Sequence, residues 1–398
     1  MAISKKMQDF AQRSSWIRKM FEEGGKLKAR FGAENVFDFS LGNPDLPPPA
    51  RFGEVLGKLA MDHTPGVHAY MPNSGYPRVR EKVAAQLSLE QGVTLERDDL
   101  LLTCGAAGAL NVTLKALLDP GDEVIVLAPF FVEYHFYVDN HGGVAKVVQT
   151  TSDFSLDLQA IATVITPRTK AIIVNSPNNP TGQIYPAADL AALNRLLLAA
   201  GERLGTVIYL LADEPYRKIV YDGFTVPPVL ANCRNSIVVS SYSKDLSLPG
   251  ERIGYIAVHP DIADKAVLLG AMNLANRILG FVNAPALMQR AIAELQGVTV
   301  DCTSYARRRA TFCRILTEAG YDFLPPRGAF YLFPKSPLED DVAFVNLLLE
   351  EKILAVPGRG FGLPGHFRLA FCVDDAVIER SGPAFARAMA KAKLTGDR

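Results

Sequence analysis

The spacing of apolar positions along this chain changes twice, and each change predicts a different kind of structure. Over residues 1–31, Phe10, Trp16, Ile17, Met20 and Phe21 recur at near-helical spacing among charges. With no continuous apolar core, that segment reads as an amphipathic helix rather than a secretory signal. Residues 36–41 then form a short apolar run, which predicts a strand. It opens into Gly42-Asn43-Pro44-Asp45-Leu46-Pro47-Pro48-Pro49, whose prolines exclude helix and central strand and predict a loop crossing between domains. Helical patterns resume over 52–61 and 78–91, parted by the breaker Tyr70-Met71-Pro72-Asn73-Ser74-Gly75-Tyr76-Pro77.

From about residue 99 the pattern alternates. Short runs rich in β-branched residues at 100–103, 123–127, 144–148, 171–175, 207–212, 237–240 and 255–258 are separated mostly by helical segments. Strands that read as unbroken apolar runs are buried on both faces, so the prediction is an α/β fold with a mostly parallel sheet sandwiched by helices. Ligands of such sheets sit at the carboxyl ends of the strands. Gly105 to Gly108, Asn175, Asp213 and Lys244 all fall there. The alternation stops near Pro285. A long helical stretch over 286–319 and the short run 328–333 predict a smaller α+β domain. The expected division is 1–44 as a segment joining the small domain, 45–285 as the large domain and 286–398 as the small one.

Composition narrows the function classes. Of 398 residues 48% are hydrophobic and 21% charged, which is ordinary for a globular chain with a large core. A formal net charge of zero argues against nucleic acid or an anionic membrane as the main partner. No run approaches the length of apolar residues that a membrane span needs. Cys104, Cys233, Cys302, Cys313 and Cys372 are odd in number and never paired as C-x-x-C, so they read as reduced thiols of a cytoplasmic protein, and no zinc-ligand spacing occurs.

The chemistry starts at Lys244. It lies in Ser240-Ser241-Tyr242-Ser243-Lys244-Asp245, just past a run of β-branched residues. An ammonium carried out of water needs a partner or loses its proton, and a desolvated lysine near other cations suits Schiff-base chemistry with a carbonyl compound. Arg252, among small and hydroxyl residues, is placed to hold a phosphate. The plainer reading is a surface turn with two solvated cations. Other segments carry the same ambiguity singly: Asn178-Asn179-Pro180-Thr181-Gly182 is a good turn sequence, Asp213 is a suitable helix cap, and Gly105-Ala106-Ala107 allows tight packing of helix on sheet.

Taken together and in this order, from Gly42 to Arg368, these motifs resemble the class I/II aminotransferases among the fold-type I pyridoxal phosphate enzymes, aspartate aminotransferase-like. The resemblance implies a seven-stranded sheet in the large domain and a homodimer with shared active sites. It implies that Lys244 is the Schiff-base lysine and proton shuttle, that Asp213 pairs with the pyridine nitrogen, and that Asn179 and Tyr216 bond the phenolic oxygen. Gly105, Ala106 and Ala107 would present backbone N–H groups to the phosphate with Ser241 and Arg252, and Tyr70 would reach the phosphate of the neighbouring subunit. Family members often carry a hydroxyl in the phosphate cup; this chain has only Gly-Ala-Ala there. Phe131 would stack on the pyridine, with Phe130 or Tyr134 as alternatives. Arg368 would grip the substrate carboxylate, assisted by Gly42, and Arg277 falls near a position that binds the distal carboxylate in some aspartate aminotransferases. The implied activity is ping-pong transfer of an amino group between an L-amino acid and a 2-oxo acid, aspartate and 2-oxoglutarate leading. The alternatives are a C–S β-lyase, an enzyme resembling 1-aminocyclopropane-1-carboxylate synthase, and, from another class, a non-catalytic ligand-binding regulator.

Overall fold

A computed structural model describes residues 3–12 and 16–396. The helical pattern at the start is realised as the helices Lys5–Gln12 and Trp16–Phe31; residues 1, 2 and 13–15 of that expected helix, and 397 and 398 at the other end, lie outside the described residues. The strands are β1 (Phe37–Asp38), β2 (Leu100–Thr103), β3 (Glu123–Ala128), β4 (Val144–Gln149), β5 (Thr169–Asn175), β6 (Tyr209–Asp213), β7 (Ser236–Ser241), β8 (Gly254–Val258), β9 (Tyr331–Leu332), β10 (Ile353–Leu354), β11 (Val356–Pro357) and β12 (Phe367–Ala370).

The central sheet has seven strands in the order β2-β8-β7-β6-β5-β3-β4. Its pairings are parallel except for the two made by β8. Successive residues of each strand serve opposite faces. Ile125, Leu127, Ile172, Val174, Leu210 and Val238 join one hydrophobic cluster, and Val124, Val126, Ala171, Ile173, Leu211 and Val239 join the other. That period of two with both faces covered explains why the strands read as continuous apolar runs. Register then fixes the chemistry, because Asn175 pairs with Asp213 across β5 and β6, and Ser241 pairs with Gly254 across β7 and β8. Three strands thus deliver polar side chains to one end of the sheet, and β8 brings a glycine beside them.

A second core gathers the chain ends. Met20, Val36 and Phe39 pack with Phe312, Phe330, Phe344 and Phe385. β1 runs parallel to β10, and β11-β12-β9 form an antiparallel sheet. Two expectations are revised. The strand foreseen over 36–41 shortens to Phe37–Asp38, because the Asp38 carboxylate accepts from both the Ser40 amide (3.2 Å) and its hydroxyl (2.6 Å) and turns the chain. The helical stretch foreseen over 286–319 is two helices, Ala286–Ala293 and Cys302–Glu318. Gly297 lies between them at φ 77°, and Asp301 starts the second by accepting from the Thr303 amide at 2.9 Å. The first of these helices packs on the large-sheet core through Met288, Ala291 and Ile292, whereas Val300 and the second helix belong to the other core. Among the described residues no helix is long and apolar enough to cross a membrane, and all five cysteines are free.

Candidate active site

The polar strand ends open into one cleft of about 370 Å³ between the two cores. At one end, the chain leaves β2 through Cys104 and enters the helix Gly105–Leu117. Gly105 has φ 72°, and a Cβ there would lie 2.9 Å from Nη2 of Arg252, so glycine is needed both for the turn and for the arginine's approach. Ala106 and Ala107 line the cleft with first-turn amides that have no partner within the helix and face outward along its dipole. Arg252 is fixed by donating from Nη1 to the Pro249 carbonyl at 2.8 Å. Ser241, at the end of β7, also lines this part of the cleft. Cation, hydroxyl and helix start together make an anion site.

Asp213 ends β6 on the cleft floor. Its Oδ2 accepts from the Tyr134 hydroxyl at 2.6 Å, while Oδ1 is buried and has no hydrogen-bond partner among the described residues. Burial pushes its pKa up to about 7; the Tyr134 hydrogen bond opposes the rise and neighbouring Glu214 adds to it. An ionised Asp213 therefore calls for a cationic donor from the cleft side. Asn175 braces this floor, donating to the Asp213 carbonyl at 2.8 Å and accepting from the Asn179 amide at 2.7 Å. The turn that carries Asn179 is closed by Asn178, whose Oδ1 takes the Thr181 amide at 3.1 Å and its hydroxyl at 3.0 Å.

Lys244 follows β7 and donates to the Gly42 carbonyl at 2.9 Å. Burial is the main reason its pKa falls to about 8; the Cys372 thiol opposes this, and Arg368 and Arg252 add to it. Only glycine fits at 42, because a Cβ would overlap the Tyr331 hydroxyl. That hydroxyl is 2.9 Å from the hydroxyl of Tyr216, and burial holds the Tyr216 phenol well above its ordinary pKa, hence neutral and able to donate.

Arg368, on β12, is only 2% exposed. Nη2 donates to the Ser40 carbonyl at 2.6 Å and Nη1 to Asn179 Oδ1 at 3.1 Å, while Nε has no hydrogen-bond partner among the described residues. The guanidinium lies between the rings of Tyr331 and Phe361, 4.7 and 4.8 Å from their centroids. A buried guanidinium fork with a free donor and, among the described residues, no carboxylate partner has the chemistry to take a carboxylate from the cleft.

Most of the residues singled out in the sequence therefore meet in one place. Gly42, Ala106, Ala107, Phe131, Asn179, Asp213, Tyr216, Ser241, Lys244, Arg252 and Arg368 all line the cleft, and Gly105 lies just behind it against Arg252. Of the three aromatic candidates, Phe131 and Tyr134 line the cleft and meet edge to face at 5.7 Å, while Phe130 turns away against His135. Two residues stay outside. Tyr70 is 91% exposed, and Arg277 lies exposed in the last turn of the helix Lys265–Ile278. The hydrogen bond from Tyr134 to Asp213, the pairing of Tyr331 with Tyr216, and Tyr137 on the cleft wall were not foreseen. The one available signal was the i, i+3 spacing of Tyr134 and Tyr137 after a strand.

Comparison with known proteins decides the family. A model of the family described as aminotransferase class I and II matches residues 34–381. The chain is 32% identical to the aspartate/prephenate aminotransferase of Thermus thermophilus, over 92% of this chain and 94% of that protein. This chain belongs to the class I and II aminotransferases. Among solved structures, an amino transferase from Eubacterium rectale superposes with a TM-score of 0.95 at 40% identity, covering 98% of this chain and 99% of the other. Aspartate aminotransferase from Thermus thermophilus with maleate gives 0.86 at 30% identity, covering 98% and 100%. The aminotransferase cleft thus combines an amine of lowered pKa, an unpartnered carboxylate oxygen, an anion cup and an unpartnered guanidinium nitrogen. Such a donor set suits a planar cationic ring bearing a phosphate, beside a substrate carboxylate.

Proposed function

We propose that this aminotransferase uses pyridoxal phosphate to move an amino group between an L-amino acid and a 2-oxo acid in two half-reactions, with aspartate and 2-oxoglutarate as the leading pair. The observation that carries the reading is the placement of the Lys244 amine, titrating near 8, in the same cleft as the unpartnered Oδ1 of Asp213 and Nε of Arg368. When bound, the cofactor supplies a carbonyl for amine exchange and a protonated ring that takes up charge from the substrate Cα. Lys244 is the amine that holds it. A pKa near 8 rather than 10.5 leaves about 300-fold more neutral amine at neutral pH.

The remaining roles follow from the contacts. Asp213 keeps the ring nitrogen protonated through Oδ1, while Tyr134 holds Oδ2 and so fixes the carboxylate plane. Asn179 spends its oxygen on Arg368, which leaves its Nδ2 to donate to the phenolic oxygen beside Tyr216. Gly105, Ala106, Ala107, Ser241 and Arg252 take the phosphate, and Phe131 covers the ring. Arg368 would orient the substrate carboxylate together with the Gly42 amide, and Lys244 Nζ would be the base that takes the Cα proton and holds it for return.

The substrate pair rests on the names of the relatives. Arg277 lies outside this chain's own cleft, so its proposed contact with a distal carboxylate requires a second copy, as does the proposed contact of Tyr70 with a phosphate. A homodimer fits the apolar stripe Val267, Leu274 and Ile278, which stands exposed on the helix that carries Arg277. Free, dispersed cysteines fit a cytoplasmic protein.

The test supplies the holoenzyme with a panel of amino donors, with and without an oxo acid, and follows product formation. Amino transfer that depends on the oxo acid, fastest for aspartate with 2-oxoglutarate, is expected. Release of pyruvate or of a cyclopropane product without any oxo acid would contradict the reading.

A further inference from the structure

The Gly105-Ala106-Ala107 turn of the phosphate cup carries no side-chain hydroxyl, Ser241 brings one from β7, and the neighbouring helix offers a second. Tyr137 lies on the helix Glu133–Asn140, which packs against the cup helix Gly105–Leu117 and is tied to it by the contact of His141 Nε2 with Asn111 Oδ1 at 3.1 Å. One turn earlier, Tyr134 is pinned to Asp213, so the helix presents the Tyr134 and Tyr137 rings along the same wall of the cleft. The Tyr137 ring packs on the core cluster behind that wall. Its hydroxyl has no hydrogen-bond partner among the described residues and is not among the fully buried orphan atoms, and the residue lines the cleft together with Ala106, Ala107 and Arg252. The phenol is neutral, because burial and the carboxylates of Glu133 and Asp213 raise its pKa while Arg252 alone opposes them. It therefore senses both the ring-nitrogen end and the phosphate end of the site.

We infer that Tyr137 supplies, through its hydroxyl, the phosphate hydrogen bond that the Gly105-Ala106-Ala107 cup cannot make with a side chain of its own. The inference rests on the pyridoxal phosphate reading above. A neutral phenol is a donor suited to a dianion, and hydrogen bonds to charged groups are the stronger kind. Arg252, held by Pro249 on one edge, would then meet the phosphate from one side and Tyr137 from the other. The residue positions the cofactor and takes no part in proton transfer.

The experiment compares cofactor-free wild type with Tyr137→Phe in equilibrium binding of pyridoxal phosphate, of pyridoxal and of inorganic phosphate. Loss of one charge-assisted hydrogen bond predicts affinity about tenfold weaker for pyridoxal phosphate and for inorganic phosphate, with pyridoxal unchanged. Adding Ala107→Thr to Tyr137→Phe, which puts a hydroxyl back in the cup, should recover part of the loss. If pyridoxal phosphate and pyridoxal weaken equally, or neither changes while wild type binds both, Tyr137 does not serve the phosphate and the inference is overturned. Wild type that binds no pyridoxal phosphate at all would instead refute the cofactor reading on which it rests. Circular dichroism of the variant separates a binding loss from misfolding.

Discussion

Two regions carry the residues this chemistry needs, and they differ in almost every physical respect. The cleft floor at the ends of β5, β6 and β7 is buried, its groups are held by one another, and Asp213, Lys244 and Tyr216 all have strongly displaced pKa values caused chiefly by burial. The outer face around Tyr70 and the helix Lys265–Ile278 is exposed, with Tyr70 at 91% and Val267 at 74%. Burial without full pairing stores the capacity to bind, because each unpartnered atom gains when ligand arrives. The exposed face stores none within a single chain. The difference teaches that the groups proposed for proton transfer and carboxylate capture lie within one chain, whereas the residues proposed for substrate selection need a second copy to reach the cleft.

Substitutions on the two sides should separate accordingly, beginning with the floor. Lys244→Ala would remove both the amine proposed to hold the cofactor and the proposed base for the Cα proton. Amino transfer should fall by at least about 10⁴-fold in single-turnover assays, and residual turnover near wild type would break the assignment.

Asp213→Asn should lower activity by about 10³-fold, the scale for one preorganised electrostatic group. The same change should stabilise the cofactor-free protein. Burial holds the Asp213 pKa at about 7 in the folded chain, against an ordinary 3.8, so its contribution is fully present below about pH 4 and is lost as pH rises towards 7. The loss amounts to about 4 kcal/mol above that window. Cofactor-free Asp213→Asn should therefore melt several degrees higher than wild type at pH 8 and nearly alike at pH 4.5. A lower melting temperature at pH 8 would show that Asp213 is not held against its charge.

Arg368→Lys keeps the charge but not the fork. It should raise KM for amino acids far more than it lowers kcat, with kcat/KM down by about 100-fold in steady-state assays. A pure kcat effect would place Arg368 elsewhere in the cycle. On the exposed side, Arg277→Leu should cost aspartate about tenfold in kcat/KM and leave alanine nearly untouched. Equal losses on both substrates would remove Arg277 from the site and with it the main physical support for an acidic substrate.

What was legible beforehand follows the same divide. The floor is built from strand ends, and period-two apolar runs announce both the strands and where they stop, so Asn175, Asp213 and Lys244 could be placed from local pattern. Residues whose role lies in a partner far along the chain could not. Tyr331 meets Tyr216 across 115 positions, and nothing local distinguishes it from a core aromatic; Tyr134 reaches Asp213 across 79, and its spacing from Tyr137 signals a shared helix face but not that partner. The merging of two helices into one at 286–319 was a different failure, because apolar spacing continued through Gly297 and outweighed the cap at Asp301. Arg277 and Tyr70 were found through resemblance alone, and a single chain leaves them in solvent.

The central claim is that Lys244 is the amine that holds the cofactor. The most direct measurement is borohydride reduction of the protein loaded with pyridoxal phosphate, followed by proteolysis and mass spectrometry of the peptides. The account predicts one pyridoxyl group per chain, on Lys244, and none in Lys244→Ala treated identically. A label on another lysine, or no label at all, would contradict it.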